Sequence, residues 1–351
     1  MIAIDGSTYS GSGTILRYGV ALSSLTGEPL RVFNIRARRD KPGLRPQHLQ
    51  AVRACARLSN GQLQGDEVGS REIVYHPGRT ISGGSFDWDI GTAGSATMLS
   101  FTLIPLALFA EKTCRFTITG GLFQDFAPTC FHMQHALIPL VRRMGGEIGL
   151  TMLRPGYVPK GQGKIQLDVR PVTSTLDPLR LTQPGTFNRV EGMALSSHLA
   201  SQRVSERMAE KCVALLDRAG LVGAIQTMDD DSAVQRGAAL CLWAESDTGA
   251  LIGADQAGKR GRRSESIAGN VVRNLLEDIR SGGAVDRHLA DQLILFAALA
   301  EGASAIGIPA VTDHVESNRW LVERILGART DLKDHLLEIE GVGLRPGGSG
   351  R

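Results

Sequence analysis

The chain has 351 residues, 42% of them hydrophobic and 21% charged, with a net charge of +3 and a pI near 8.7. This composition is globular and long enough for more than one core, and its mild basicity points to a local cationic patch rather than a whole cationic surface. The five cysteines, Cys55, Cys114, Cys130, Cys212 and Cys241, include no Cys-x-x-Cys, which argues against a zinc site or disulfide framework and for buried thiols in a reducing compartment. Aromatic residues make up only 5%, so little base-stacking surface is expected. The longest apolar run, near Leu103 to Ala110, is too short for a membrane span, and the N-terminus opens without a leader pattern. A soluble cytoplasmic protein is the expectation.

Residues 2–5 read as a strand ending in Asp5-Gly6, followed by a small-residue loop from Ser7 to Gly13. Ile15, Leu16, Val20 and Leu22 predict a helix over Thr14 to Leu25, stopped by Gly27. A strand at Arg31–Ile35 then feeds the stretch Asn34–His48. Here Arg36, Arg38, Arg39, Lys41 and Arg45 face only Asp40 in compensation. Pro42-Gly43 is turn chemistry, and Pro46 opens a helix reaching Leu58. A strand that delivers a cationic loop to a helix N-terminus favours an anion, phosphate above all. The plain alternative is a solvated basic loop. Strands near Gln62–Val68 and Arg71–Tyr75 complete a β-α-β-α-β-β unit.

The same order returns with a strand at Phe86–Ile90, a glycine loop Gly91-Thr-Ala-Gly94-Ser, a helix at Ala96–Ala110 and a strand at Arg115–Thr119. It continues with a helix at Phe131–Met144 and strands at Glu147–Leu153 and Gly163–Val169. A third unit is read late in the chain, as helix Leu289–Ala300, strand Ala303–Ile308, helix Val315–Leu326 and strand His335–Glu340. Between them lies a self-sufficient α/β stretch, with strands at Asn188–Leu195, Ala224–Met228, Ala238–Glu245 and Ala250–Gly253 and helices at Gln202–Ala219 and Ser264–Ile279. The expected division is a large domain from 1–181 and 283–340, an inserted small domain at 182–282, and a flexible Gly-rich tail at 341–351.

Several residues are candidates for chemistry. His314 lies between a strand and a helix, where α/β proteins commonly place reactive groups, and reads as a nucleophile or general base; a capping or structural role is the alternative. His132 and His135 have one-turn spacing, but no nearby carboxylate supports a metal site, so a surface pair is expected. Gly11-Ser-Gly13 is too short for a dinucleotide fingerprint. Asp291, set among Leu293, Ile294 and Leu295, needs a partner or a ligand. The run Lys259-Arg-Gly-Arg-Arg263 reads as a solvated loop or a guide for an anionic polymer.

Together these pieces resemble the RNA 3′-terminal phosphate cyclase family over nearly the whole chain. The resemblance is carried by Ile4-Asp-Gly-Ser7, Gly13-x-Ile-Leu-Arg17, Asn34-Ile-Arg-Ala-x-Arg39, Lys41-Pro-Gly-Leu-Arg-Pro-Gln-His-Leu49 and Ala51-Val-Arg53. It continues in Gly91-x-Ala-Gly-Ser95, Gly156-Tyr-x-Pro159, His288-Leu-Ala-Asp-Gln292 and His314-x-x-x-Asn318. The resemblance implies three β-α-β-α-β-β repeats with an inserted thioredoxin-like module, an α/β fold overall.

It also implies conversion of an RNA 3′-phosphate to a 2′,3′-cyclic phosphate with ATP and a divalent metal (magnesium or manganese). His314 matches the family's nucleophile, which carries AMP as a phosphoramidate. Arg17, Gln47, His288, Leu289, Ala290, Asp291 and Gln292 match nucleotide-contacting positions, and Arg36, Arg39 and His48 match positions for the RNA phosphate. No metal ligand is assigned. The sequence departs from the family at Ser10 in place of a metal-contacting glutamate and at Phe101 in place of a glutamine. Leu122-Phe123, Pro128-Thr129, Gly161-Gln-Gly163 and His288 depart as well. A weakened or inactive RNA-binding scaffold is therefore the alternative, with an enolpyruvyl transferase far behind. The oligomeric state is left open, a homodimer among the options.

Overall fold

The computed structural model describes residues 1–347, and its architecture is mixed α/β. The first sheet contains β1 (Ile2–Asp5), β2 (Leu30–Phe33), β3 (Gln62–Gln64) and β4 (Ile73–His76), in the order β1-β2-β4-β3. β1 and β2 run parallel and the other pairings are antiparallel. Between these strands lie α1 (Gly13–Thr26) and α2 (Pro46–Ser59). Ser12 caps α1 by accepting from the Thr14 N–H, and Gly27 ends it at a φ of 74°, where a side chain would be strained. α1 is buried on nearly every face, so its apolar pattern is not confined to a stripe.

The second sheet repeats the order with β5 (Gly84–Asp89), β6 (Cys114–Gly120), β7 (Glu147–Arg154) and β8 (Gly163–Arg170), arranged β5-β6-β8-β7 with β5 and β6 parallel. Its first helix is α3 (Ala96–Leu108). The helix expected over 131–144 is broken into α4 (Cys130–His132), a π-helical turn at Met133–Leu137, and α5 (Ile138–Arg143). Such a wide turn inserts one extra residue per bond and often sits at a functional position.

β9 (Arg180–Leu181) follows, then β10 (Arg189–Ser197), α6 (Val204–Asp217), β11 (Val222–Asp230), β12 (Gly237–Glu245), β13 (Leu251–Ala257) and α7 (Ser264–Arg280). β10 to β13 form their own sheet in the order β11-β10-β12-β13, with α6 and α7 packed against each other and onto its strands. The chain closes with α8 (Leu289–Leu299), β14 (Glu301–Gly307), α9 (Asp313–Leu326), β15 (Arg329–Lys333) and β16 (Leu336–Val342). The last sheet runs β15-β16-β14-β9, with β14 and β9 parallel. β9 and β15 were not foreseen: two residues carry no periodicity, and Arg-Thr-Asp-Leu-Lys has too few apolar positions to show one. β16 runs past the expected boundary at 340, and Gly343 and Leu344 still donate to the Ala300 and Leu299 carbonyls. The start of the expected tail is thus hydrogen-bonded, and residues 348–351 lie outside the described residues.

α1 packs on α2, α3 and α9, and α8 packs on α9. Helices from three sheets therefore meet in one layer. Phe101 of α3 links them, with its ring 5.3 Å from Tyr18 of α1 and 5.9 Å, edge-on, from Phe296 of α8. All five cysteines are free and buried. Among the described residues no helix is long and apolar enough to cross a membrane.

Candidate active site

The loop after β2 is folded on itself. Asn34 and Arg36 both take a φ of 52°, and the Arg36 guanidinium donates to the Lys41 and Gly43 carbonyls at 2.7 and 3.1 Å. Arg39 donates to the Ser10 carbonyl at 3.1 Å, tying this loop to the loop before α1. Arg17 is buried in α1; its guanidinium touches the Thr14 hydroxyl at 3.4 Å and its Nε has no partner. Among the described residues none of these three arginines has a carboxylate within 4.0 Å. Burial pulls Arg17 down to about 10, and burial with repulsion from Arg39 and Arg45 lowers Arg36 as well. Uncompensated guanidiniums are costly to hold together unless an anion completes the site.

His48, on the first turn of α2, is buried and accepts from the Arg45 N–H through Nδ1 at 3.4 Å. That contact leaves Nε2 as the N–H donor. Burial, then Arg17, Arg36 and Arg45, drive its pKa to about 2, so the ring is a neutral donor. A Cβ on Gly13 would fall 2.1 Å from His48 Nε2 and 3.0 Å from Arg17 Nη1. Only glycine lets the start of α1 come this close. Gln47 accepts from the Ser95 N–H at 3.1 Å, and so orders the residue that caps α3.

His314 is the second residue of α9, whose N-cap Thr312 accepts from the Val315 N–H at 3.2 Å. It is half-buried, and its pKa is lowered by burial first, then by Arg17 and Arg39, against the pull of Asp313. A neutral imidazole at a helix N-terminus, beside arginines without counter-ions, can act as a nucleophile or a base toward a bound anion. One turn further, buried Asn318 donates to the Asp291 carbonyl at 2.9 Å and joins α9 to α8. Burial and then Asp286 raise the Asp291 carboxyl to about 8, with Arg17 opposing, so it is protonated near neutrality and can donate. Gln292 Oε1 and Asn318 Oδ1 are buried without partners, as is Arg17 Nε. Of these residues Arg17 and Gln292 line the cavity described next, where a bound ligand can supply the missing partner.

All this opens on one cavity of about 820 Å³. It brings together Arg17, Arg36, Arg39, Gln47, His48, His288, Asp291, Gln292 and His314, drawn from widely separated parts of the chain. Leu289 and Ala290 are fully buried in the core and do not line it. The lining also includes Asp125, Phe126, Asp255, Gln256 and Arg262, which sequence reasoning missed. Only the run Lys259–Arg263 hinted at them.

The family model described as RNA 3′-terminal phosphate cyclase matches residues 8–332. A protein named RNA 3′-terminal phosphate cyclase from Korarchaeum cryptofilum is 38% identical over 98% of this chain and 99% of its own length. One of the same name from Methanothermobacter thermautotrophicus is 40% identical over 94% and 95%. The chain belongs to the RNA 3′-terminal phosphate cyclase family.

Around the cyclase motifs the polar groups are largely engaged within the protein. Ser10 is already engaged: its hydroxyl donates to Ser12 at 3.1 Å and accepts from Ser317 at 2.8 Å. Asp125 is paired with Arg262, Asp255 accepts from the Thr129 N–H, and Asp291 is largely protonated. Among the described residues no cluster of three His, Cys, Asp or Glu side chains has metal-holding geometry. The donors present among the described residues therefore do not form a metal cage made by the protein alone. Phe101 lines the cavity, yet its ring is committed to Tyr18 and Phe296.

One expectation is overturned. His132 and His135 are not a surface pair. His132 is buried against Asp286 at 3.1 Å, and His135 stacks on Trp243 with ring centres 3.8 Å apart. The carboxylate that seemed missing comes from 154 residues away in sequence. Asp286 also accepts from the backbone N–H groups of Gly253, His288 and Leu289 at 2.9, 2.8 and 2.9 Å, and so holds the start of α8 in place.

Proposed function

We infer that this protein is an ATP-dependent RNA 3′-terminal phosphate cyclase. The observation that carries the reading is the juxtaposition of His314, held neutral, with the uncompensated cations Arg17, Arg36 and Arg39 on one cavity. The three sheets that share one strand order are read as three copies of a β-α-β-α-β-β unit. The stretch 182–282, with its different order, is read as an inserted thioredoxin-like domain. Five buried thiols fit a reducing compartment such as the cytoplasm.

In this reading a ring nitrogen of His314 attacks the α-phosphorus of ATP and pyrophosphate leaves, so that AMP is held as a phosphoramidate. Arg17 takes phosphate charge, and Gln47, His288, Asp291 and Gln292 bind the nucleotide. AMP then passes to the RNA 3′-phosphate, held by Arg36, Arg39 and the His48 Nε2–H. The neighbouring 2′-OH attacks the activated phosphorus, its proton departs, and AMP is expelled as the ring closes. That closure is intramolecular, so fixing the terminal phosphate between charge-assisted donors supplies much of its rate. The buried, protonated Asp291 donates rather than repels, so it adds no negative charge beside the phosphates.

The test is incubation with α-labelled ATP and magnesium or manganese, followed by a denaturing gel. Acid-labile label on the wild type, absent from His314→Ala, is the expected result. Folded wild-type protein that takes no label would instead support an RNA-binding scaffold, with Ser10 and Phe101 as the reasons.

A further inference from the structure

The loop between β6 and α4 holds Phe126 wholly in water, 106% exposed, at a φ of 68°. A bulky residue in the left-handed region is strained, and a ring left in solvent returns nothing for that strain on folding. The loop around it is not loose. Asp125 is gripped by both Arg262 Nη atoms at 3.0 and 3.2 Å, and Arg262 also donates to the Ala257 carbonyl at 2.6 Å. On the other side the Thr97 hydroxyl donates to the Pro128 carbonyl at 2.8 Å, and the Thr129 N–H donates to Asp255 at 2.7 Å. A braced loop thus presents a bare aromatic face on the cavity that holds Arg36, Arg39 and His314.

Lys259, Arg260 and Arg263 stand exposed on the loop that carries Arg262. Among the described residues none of the three has a carboxylate within 4.0 Å. A flat ring beside unpaired cations is how proteins hold single-stranded nucleic acid: the ring stacks a base and the cations follow the phosphates.

We propose that Phe126 is a stacking platform for a nucleobase at the RNA 3′ end, with Lys259, Arg260 and Arg263 engaging the phosphates upstream of it. The inference rests on the reading of this cavity as an RNA-end cyclase. Every base has a π-face, so the platform selects a single-stranded end without selecting its sequence.

The experiment measures anisotropy of a short labelled single-stranded RNA bearing a 3′-phosphate and, separately, of a fluorescent ATP analogue. It compares the full chain with Phe126→Ala, Phe126→Trp and the triple variant Lys259→Ala/Arg260→Ala/Arg263→Ala. Loss of the ring weakens RNA binding roughly tenfold, tryptophan restores it, and the loss is confined to RNA. The triple variant flattens the slope of log affinity against log salt by about 2. RNA affinity unchanged in Phe126→Ala overturns the proposal. So does a loss that falls on the nucleotide, which would assign the ring to adenine, or a change only in sedimentation, which would assign it to contact between copies. Wild-type protein that binds nucleotide but no RNA would fail the cyclase reading itself, and the platform with it.

Discussion

Replacing His132 by alanine tests the packing that holds the site together. His132 and Asp286 are 1% and 0% exposed and 3.1 Å apart. Removing one member of such a pair leaves a buried charge and typically costs about 3–5 kcal/mol. Asp286 keeps three backbone donors after the change, which places the cost near the lower end, about 3 kcal/mol. Asp286, together with Asp255 and Asp278, raises the His132 pKa to about 9 against the opposing and largest influence of burial. A raised histidine pKa contributes stability that is fully present below the ordinary value of about 6.5 and lost as pH climbs through the raised one. Urea unfolding of wild type and variant should therefore differ by about 3 kcal/mol near pH 7 and by much less near pH 10. The same substitution should slow labelling by ATP, because Asp286 sets the start of α8 and hence the place of Asp291 and Gln292. A loss below about 1 kcal/mol, or one independent of pH, would refute the buried ion pair.

Arg17→Met should raise stability by about 1–2 kcal/mol in thermal or urea unfolding, since it removes a buried cation without a partner. The same variant should weaken ATP roughly a hundredfold by fluorescence titration. Because the His314 pKa is lowered, the pH at which labelling by ATP is halved should lie below the ordinary histidine value of about 6.5; a rate already halved at that pH would contradict the environment described. Arg39→Ala should weaken a 3′-phosphorylated RNA several-fold more than its 3′-hydroxyl twin in a binding assay, whereas equal losses would mean that Arg39 only holds backbone.

What was legible in the sequence was local. Arg36, Arg39, Gln47 and His48 lie within one short stretch whose charge and turn residues announce an anion site, and His314 sits on a recognisable strand-to-helix junction. The helices α1 and α2 were read nearly to their ends because Gly27 and Pro46 mark a stop and a start in the chain, whereas α9 begins two residues before the expected Val315. What escaped depends on distant pairing. His132 looked solvent-facing because its carboxylate is far away in sequence. Asp125 and Arg262, 137 residues apart, meet only when two sheets are in place. Phe126 gave no signal at all, since an exposed aromatic and a buried one are the same letter.

The five sequestered thiols have a consequence for how this protein can be watched. Burial pushes Cys55, Cys130 and Cys212 up to about 12 and Cys114 to about 11, and burial with nearby Asp255 and Asp286 raises Cys241 well above its ordinary value. In the closed state none offers a thiolate to an alkylating reagent at neutral pH. They stand in α2, β6, α4, α6 and β12, so each reacts only at the moment its own neighbourhood breathes. The chain thus carries native clocks for local opening in separate layers, and RNA or nucleotide that tightens one layer will slow that layer's clock.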